Sequence, residues 1–350
     1  MVQTETLRKL LRIKRIARKA INDQTFQITY LLRDERPLEV DCEVLGTYSK
    51  GVAIECLDPR SGVALGHSFY PRFEYLLHNV IVEPSQGLLY NLEGKFIAES
   101  TTWPLYQLYS SFPWKPQKTV SAKVEQNAIL VSSNSYGHWL AEDLGSTLYL
   151  IEKYPDAKIV ASKSAPKYVL DLINHLERDV VFLTGPTLMS NIHWVGKSQD
   201  SGWMNPEDIY NIRNSQFIKP YLSRGKATKL IYASRRNVKR SPTNEYLLEL
   251  EMRKAGYEVH QLEKLNFIEE ISLLSEAKIL ASFHGSAHCN AVFMPERTTL
   301  VDLVNENYWT ELGHRLAESR NQKYRYLTYT GAYSDSIDIN KVMKFITDGK

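Results

Sequence analysis

The chain has 350 residues, of which 43% are hydrophobic and 24% are charged, and its formal net charge is +3. This composition is typical of a soluble protein with a large core, and it excludes an intrinsically disordered chain. Cys42, Cys56 and Cys289 are too few and too scattered for a disulfide framework. The N-terminus has no signal-peptide core, and no window approaches the roughly 20 apolar residues of a membrane span. We therefore expect a cytoplasmic protein.

Residues 1–22 contain a basic amphipathic segment. Within it, residues 6–21, TLRKLLRIKRIARKAI, place apolar side chains at helical spacing among seven lysines and arginines. Such a helix can lie on an anionic membrane surface, and it can equally dock its apolar stripe on the body of the protein. The sequence leaves both interpretations open. Nucleic acid is not an expected partner, because the rest of the chain is net acidic and has no basic stripe interleaved with aromatics.

The next part of the chain changes from a strand-rich pattern to an alternation of predicted strands and helices. Residues 23–115 contain β-like runs such as TFQITYLL and GVAIECL, which predict an irregular, strand-rich layer. From about residue 127, apolar runs such as AILVS and KIVAS alternate with helical patterns, which indicates a parallel sheet covered on both faces. We interpret residues 23–222 as an N-terminal domain whose β-α part covers 127–222.

After a polar linker at residues 223–229, the β-α alternation begins again. KLIYASR, YEVHQL, KILASF and TLVDLV predict strands, and the segments between them predict helices. Thr243 is a candidate N-cap and Gly256 a candidate helix stop. Residues 223–350 therefore form a second domain, whose last segment could pack back on the first. The expected architecture is α/β, with two such domains facing a cleft.

The stretch HGSAHCN follows the predicted strand KILASF. It opens with a turn of four residues: His284, Gly285, Ser286 and Ala287. Ligands of parallel sheets bind at the carboxyl ends of strands, where a helix N-terminus favours phosphate. Taken alone, the turn fits a plain strand-to-helix connection better than a phosphate site.

Cys289 raises a different interpretation, a Cys/His hydrolase. Its thiol could be activated near a helix N-terminus, with His284 or His288 as base. No orienting carboxylate accompanies these histidines in the sequence, so a packing role for Cys289 is favoured.

A second strand end suited to anions is YASRRNVKRSPTNE, residues 232–245. Its cations are Arg235, Arg236, Lys239 and Arg240, and Asn244 and Glu245 open the next helix. Arginine binds phosphate oxygens in a bidentate manner, although a solvated basic loop has the same composition. Two such strand ends in one domain favour a site for a nucleotide diphosphate.

In the first domain, NSYGHWLAEDL places His138 and Glu142 four residues apart on one predicted helix face, with Asp143 nearby. One of these groups could act as a general base across the cleft. An intrahelical surface pair is the alternative. The sequence contains neither HExxH nor Asp-x-Asp, so we expect chemistry without a bound metal or other cofactor.

Three motifs in this order, NSYGHWLAE, YASRR followed by NE, and AKILASFHGSAHCNAVF, resemble glycosyltransferase family 61 over about residues 127–327. The family includes many bacterial capsule and lipopolysaccharide transferases. The resemblance implies a GT-B fold of two Rossmann-like domains, the C-terminal one binding a nucleotide sugar, and an inverting, metal-independent reaction. The matching positions are His138, Glu142, Arg235, Asn244, Glu245, His284, Gly285, Asn290 and Asp302.

The chain also departs from the family pattern at two places. Leu144-Gly145 replaces a Leu-Pro, and HGSAHCN replaces an HGAGLTN-like turn, with Ala287 and His288 at the altered positions.

The resulting hypothesis is transfer of a sugar from a nucleotide diphosphate sugar to a glycan or lipid-linked acceptor in bacterial surface polysaccharide synthesis. Glu142 is the leading candidate base, ahead of Asp143 and His138. Arg235, Arg240, His284 and the amides of Gly285 to Ala287 would hold the diphosphate. By analogy with the family, the expected location is the inner face of the cytoplasmic membrane. The alternative hypothesis is a scaffold protein, which keeps the GT-B-like fold without catalytic activity (a silent scaffold) and docks at the membrane through residues 6–21.

Overall fold

The computed structural model describes residues 40–57, 64–69, 71–85, 87–94, 97, 100, 120, 122–197, 204–236, 238, 240–332 and 335–348. These residues form a mixed α/β structure with parallel sheets, which confirms the α/β part of the predicted fold. The predicted basic helix at residues 6–21 and the side chain of Lys239 lie outside the described residues.

The secondary structure follows the predicted alternation. The strands are β1 (Cys42–Ser49), β2 (Val52–Leu57), β3 (Ala64–Phe69), β4 (Arg72–Glu83), β5 (Leu88–Tyr90), β6 (Ala122–Val131), β7 (Lys158–Ser162), β8 (Val180–Leu183), β9 (Thr187–Val195), β10 (Lys229–Ala233), β11 (Glu258–His260), β12 (Ala277–Phe283), β13 (Thr299–Asn305) and β14 (Lys323–Tyr329). The α-helices are α1 (Tyr136–His138), α2 (Leu144–Lys153), α3 (Lys167–His175), α4 (Pro206–Asn214), α5 (Glu245–Lys254), α6 (Phe267–Ser275), α7 (Leu312–Ser319) and α8 (Ile339–Thr347). A π-helical segment, Trp139–Asp143, joins α1 to α2, and 3-10 helices cover Lys219–Tyr221, Leu262–Lys264 and Ser286–Val292.

The first sheet has the strand order β1-β4-β9-β6-β7-β8, with β5 paired to β4. Strands β9, β6, β7 and β8 are parallel, whereas β4 is antiparallel to both of its long neighbours. Strands β2 and β3 of the predicted strand-rich layer form a separate two-stranded antiparallel sheet, whereas β1, β4 and β5 extend the parallel sheet. They do so because Leu77, Val80 and Val82 of β4 bury in the same cluster as Ala128 and Ile192 of the parallel strands.

The second sheet is parallel throughout, in the order β11-β10-β12-β13-β14. On one face, strand residues such as Ile279 and Val301 pack with α5 and α8. On the other face, residues such as Ile231 and Leu280 pack with α6 and α7. Strands buried on both faces explain the continuous apolar runs in the sequence.

The two sheets share one apolar core. Ile129 and Val131 of β6 belong to the same buried cluster as Ile231 and Leu280 of the second sheet. An edge-to-face pair of aromatic rings, Trp139 and Phe267, joins the helices between the sheets at a centroid distance of 5.1 Å. The two sheets are thus packed against each other through the helices that lie between them.

The last segment does not pack as we expected. Helix α8 lies against α5 of the second sheet, and Val342 and Ile346 bury beside Leu248 and Met252. The interpretation that this segment packs back on the first sheet is wrong for the residues described, because the apolar stripe of α8 already has this neighbour.

Helix α2 approaches α4 closely at Gly145. A Cβ atom at Gly145 would lie 2.5 Å from Cα of Asp208. Asp208 is itself fixed, since it accepts hydrogen bonds of 2.6 Å from both Arg72 and Tyr48 in the core. The helices can therefore meet only where α2 carries no side chain.

We expect Gly145→Ala to lower the free energy of unfolding by about 1–3 kcal/mol, since an added methyl group in a packed contact forces the backbone of α4 to move. Urea unfolding measures this loss. Gly225→Ala is the matched control, because a Cβ there meets only Ser223 Oγ at 3.5 Å. Equal stability of the two variants would contradict the packing described.

Candidate active site

A cavity of about 410 Å³ lies between the two halves of the structure. Tyr136 and Tyr168 line it from the side of the first sheet. Arg235, at the carboxyl end of β10, and Ser286, after β12, line it from the second sheet. Its volume is within the range of small-molecule sites, and its position at the carboxyl ends of parallel strands is where such sites occur.

Arg235 presents a partly buried guanidinium to this cavity. Its Nη1 donates to the backbone carbonyl of His284 over 2.9 Å, which links the two strand ends predicted to bind anions. Its buried Nε has no hydrogen-bond partner among the described residues. A Cβ atom on Gly285 would lie 1.8 Å from Nη1, so glycine is needed at 285 for the arginine to reach this position.

The other two described cations of the loop point to different places. The Arg240 guanidinium lies over the Tyr308 ring at 4.6 Å, and the ring of Tyr308 in turn contacts His284. Burial and, secondly, the charge of Arg240 lower the pKa of Arg235, so the two cations are near enough to repel each other. Arg236 is half-exposed and pairs with Glu249 at 3.3 Å, away from the cavity.

The residues predicted at the start of the next helix support the loop. Glu245 is buried and accepts 2.8 Å hydrogen bonds from the Tyr232 hydroxyl and from the backbone N–H of Arg235. Asn244 exchanges two hydrogen bonds with the backbone of Ile337, before α8. Glu245 therefore positions Arg235, whereas Asn244 anchors the C-terminal segment rather than lining the cavity.

The turn after β12 is held by a buried hydrogen-bond network. The backbone N–H of Thr310 donates to Nε2 of His284, so the proton of this imidazole is on Nδ1, which donates to Asp302 over 2.8 Å. Tyr324 donates to the same carboxylate oxygen at 2.7 Å. In this tautomer the His284 side chain has no N–H to offer a phosphate, so its predicted role as a direct donor is not supported.

The described residues contain one group that could hold a metal ion. His284, His288 and Asp302 are buried and bring one ligand atom each to within 4.8 Å of one another. The atoms that would coordinate already serve the turn, since Nδ1 of His284 is protonated and bonded to Asp302. The arrangement is better explained as a hydrogen-bond network than as a metal centre.

The helix face predicted to carry the general base does hold a paired histidine and carboxylate. Nδ1 of His138 lies 2.5 Å from Oε1 of Glu142, whose side chain is only 1% exposed, whereas that of His138 is 35% exposed. The hydrogen bond to Glu142 raises the pKa of His138, against the opposing effect of burial. Of the two side chains, the imidazole is the more exposed and the carboxylate of Glu142 is enclosed.

Asp143 is held in a different contact. It forms a buried ion pair with Lys197 and accepts a 2.6 Å hydrogen bond from Ser132. With both oxygens engaged in the core, Asp143 stabilises the start of α2 and is a poor candidate for a base.

The two halves of the predicted site approach each other at Gly137. A Cβ atom there would lie 3.1 Å from Cβ of Ser286 and 3.6 Å from Sγ of Cys289. Tyr136, one residue earlier, donates a 2.6 Å hydrogen bond to the side chain of Asn290. The structure thus brings the His138 helix beside the turn after β12, as a site shared by the two halves requires.

Cys289 is fully buried, and burial raises the pKa of its thiol to about 12. A thiol that stays protonated at neutral pH is a weak nucleophile. The hydrolase alternative is therefore not supported by the structure.

We expect native protein to show no labelling of Cys289 by iodoacetamide at pH 7.5, and full labelling after unfolding. Peptide mass spectrometry distinguishes Cys289 from the two other cysteines. Rapid labelling of Cys289 in the folded state, accompanied by loss of activity, would restore the nucleophile interpretation.

The cavity wall contains a buried carboxyl group that the sequence prediction did not include. Glu270, in the first turns of α6, lines the cavity although it is only 5% exposed. Its signal in the sequence is weak, since Glu270 follows the capping glutamate Glu269 on an ordinary amphipathic helix. Its burial depends on α1 and on the turn after β12, which are distant in sequence.

These features describe an α/β protein with a cavity at the carboxyl ends of parallel strands, whose wall combines apolar side chains with Arg235 and Glu270. Residues 136–301 match the model of the protein family Glycosyltransferase 61. The match supports the predicted family over these residues. It also supports a glycosyltransferase as the enzyme class of the protein. The matched residues include His138, Glu142, Arg235 and the turn after β12. No curated protein matches the chain.

Proposed function

We propose that the protein is an inverting, metal-independent glycosyltransferase that uses a nucleotide diphosphate sugar and a glycan or lipid-linked acceptor. The observation that carries this proposal is the position of Arg235. A partly buried guanidinium, whose Nε has no hydrogen-bond partner in the part of the chain that the structure describes, lines the cavity beside a second cation, Arg240. An anion between them would relieve their repulsion, and a departing diphosphate is such an anion.

The proposed reaction has one chemical step. Nε2 of His138 accepts the proton of the acceptor hydroxyl, whose oxygen attacks the anomeric carbon of the donor sugar. The bond from that carbon to the diphosphate oxygen breaks with inversion, and Arg235 stabilises the leaving charge. Glu142 holds the imidazole and stabilises its protonated form through Nδ1. This assignment differs from the sequence hypothesis, which favoured Glu142 as the base.

Backbone amides of Ser286 and Ala287 remain the proposed second contact of the diphosphate, since both residues line the cavity with Arg235. The two sheets would then be the two halves of a GT-B arrangement, with residues 23–222 and 223–350 as its domains. This assignment is supported by the site lying between them.

The proposed setting is the inner face of a bacterial cytoplasmic membrane, in surface polysaccharide synthesis. No helix among the described residues is long and apolar enough to cross a membrane. The basic segment at residues 6–21 supports a surface contact, which sedimentation with anionic liposomes tests. Equal binding of the full chain and of a chain lacking residues 1–21 would refute that contact.

The function is tested by thermal shift in EDTA with UDP, dTDP, CDP, GDP and ADP. A ligand that binds only the folded state raises Tm. We expect the nucleoside diphosphate of one base to raise Tm in the absence of metal. No shift with any nucleotide, in protein shown to be folded, would favour the silent scaffold.

A further inference from the structure

A second pocket, of about 400 Å³, lies beside the connection that joins the two halves of the structure. Arg213 of α4 and Arg320, which follows α7, line it together with Lys219 and Arg224 of that connection. Lys219 and Arg224 precede β10, and Arg320 precedes β14. Because the second sheet is parallel, residues that precede its strands lie at their amino ends, whereas the candidate active site lies at the carboxyl ends. The pocket is therefore separate from the cavity that contains Arg235.

Two hydrogen bonds fix the walls of this pocket. The backbone N–H of Ser223 donates to Oγ of Ser275, which shortly precedes β12, over 3.0 Å. Nη1 of Arg213 donates to the carbonyl of Val292 over 2.7 Å, at the end of the 3-10 helix that precedes β13. Helix α4 belongs to the first half of the structure and Val292 to the second. A ligand in the pocket would therefore lie where the two halves meet.

The wall of the pocket is strongly basic. It includes Arg213, Lys219, Arg224 and Arg320 and, among the described residues, no carboxylate. Of these cations, only Arg320 pairs with a described carboxylate: its Nη1 lies 3.7 Å from Oε1 of Glu296, whose side chain is 61% exposed. Glu296 does not line the pocket. Most of the positive charge in the wall is therefore unbalanced within the described part of the chain.

Arg320 is a buried cation with an unused donor. It is only 9% exposed, and its Nε has no hydrogen-bond partner among the described residues. Burial and, secondly, the charge of Arg320 lower the pKa of Arg213 to about 10, so both guanidinium groups stay charged at neutral pH and repel each other. A buried charge and an unsatisfied N–H each destabilise a fold unless a partner compensates for them. A bound anion would compensate for the charge of both arginines.

We propose that this pocket is a second anion site, which binds a phosphate monoester or a diphosphate. Such groups carry about two negative charges at neutral pH, and their oxygens match the fork of N–H donors on arginine. A single carboxylate or phosphodiester would leave more of the positive charge unbalanced. Lys219 and Arg224 are exposed, so the ligand enters from solvent and the rest of its molecule can extend outwards. The site goes beyond the proposed function and does not depend on it.

Inorganic pyrophosphate is the first probe of this site. Calorimetric titration in EDTA compares the wild-type chain with Arg235→Ala, which lacks the diphosphate contact proposed for the active site. Arg235→Ala should still bind pyrophosphate, and its Tm should rise with pyrophosphate, because a ligand of the folded state stabilises that state. Absence of binding to folded Arg235→Ala, together with binding to wild type, would assign the anion to the active site and overturn the second site.

The pocket variant removes the two exposed cations, Lys219→Gln together with Arg224→Gln, in the Arg235→Ala chain. Binding of pyrophosphate should weaken about threefold or more, since an exposed ion pair changes affinity by about one- to fivefold. Lys226→Gln together with Lys278→Gln is the charge control, because it removes the same charge from exposed lysines that do not line the pocket. The charge control should bind pyrophosphate as tightly as its parent chain.

A buried variant tests the larger contribution. Arg320→Gln, in the same parent chain, should weaken pyrophosphate binding tenfold or more, because hydrogen bonds between charged groups are stronger than neutral ones. Its Tm without ligand shows whether the end of α7 stays folded. The pocket variant changes exposed side chains alone, so it decides the question if Arg320→Gln unfolds.

Vesicles distinguish the two sources of the phosphate group, a soluble compound and a lipid headgroup. The pocket variant and the charge control, both with Arg235 restored, are sedimented with vesicles of phosphatidic acid and phosphatidylcholine, and with phosphatidylcholine alone. Weaker sedimentation of the pocket variant with phosphatidic acid assigns a lipid headgroup, because both chains keep residues 6–21 and the same net charge. Equal sedimentation, with weaker pyrophosphate binding, assigns a soluble phosphate compound. Equal pyrophosphate binding by the two variants would overturn the second site and leave the proposed function intact.

Discussion

Replacement of Arg235 by alanine is expected to lower kcat/KM for sugar transfer by about 10³-fold, the effect of losing a preorganised group that stabilises charge in the transition state. Arg235 is the cavity cation that donates to the turn after β12, and without a metal it would carry much of the leaving-group charge. Arg235→Lys should recover only part of the activity, since lysine cannot donate in a bidentate manner. Initial rates with the donor found by thermal shift measure both effects.

Arg236→Ala is the matched control for this experiment. It removes an adjacent arginine that pairs with Glu249 outside the cavity, so activity should stay within about twofold. Tm of each variant shows whether the loop remains folded, because Arg235 also bonds the carbonyl of His284. Similar losses in Arg235→Ala and Arg236→Ala would indicate a diffuse charge effect rather than a diphosphate contact.

Replacement of His138 by alanine is expected to lower kcat by about 10²- to 10⁴-fold, which is the usual contribution of a positioned general base. Glu142→Gln should cause a smaller loss, because the imidazole remains while its orienting partner loses its charge. The opposite order, with Glu142→Gln as damaging as His138→Ala, would return the base to Glu142. Binding of the donor nucleotide should be nearly unchanged in both variants.

The pH profile distinguishes these roles further. A base must be deprotonated, so activity should rise with pH through the pKa of His138, which its bond to Glu142 places above the ordinary 6.5. Glu142→Gln removes that effect, and the acidic limb should move to lower pH. A limb that stays at the same pH in Glu142→Gln would show that another group titrates.

The sequence predicted the fold well where the physical signal is local. Parallel strands buried on both faces appear as apolar runs such as KILASF, and the capping box of α6 joins Asn266 to Glu269, three residues apart. The ends of the helices were predicted less accurately. Asn244 rather than Thr243 occupies the N-cap of α5, and its side chain bonds Ile337 instead of the helix. That partner lies 93 residues away, so no local pattern contains it.

The sequence grouped the elements of the candidate site, but it did not contain the contacts of their side chains. Motif order placed His138, Arg235 and the turn after β12 in one site, and the structure brings these elements together. Burial decided what each side chain can do, and burial is a property of the assembled fold. Glu142 and Asp302 are enclosed, so they orient histidines instead of meeting substrate. Glu270 was missed for the same reason.

The shared core between the sheets has a consequence for how the enzyme would open and unfold. Separating the sheets as rigid bodies would expose the contact of Trp139 with Phe267 and its apolar surroundings to water. Substrate access is therefore expected to depend on local movement of loops at the strand ends, such as the one that carries Arg240. For the same reason the two halves should melt in one cooperative transition, and a chain cut within residues 223–229 should yield fragments that fold only in each other's presence.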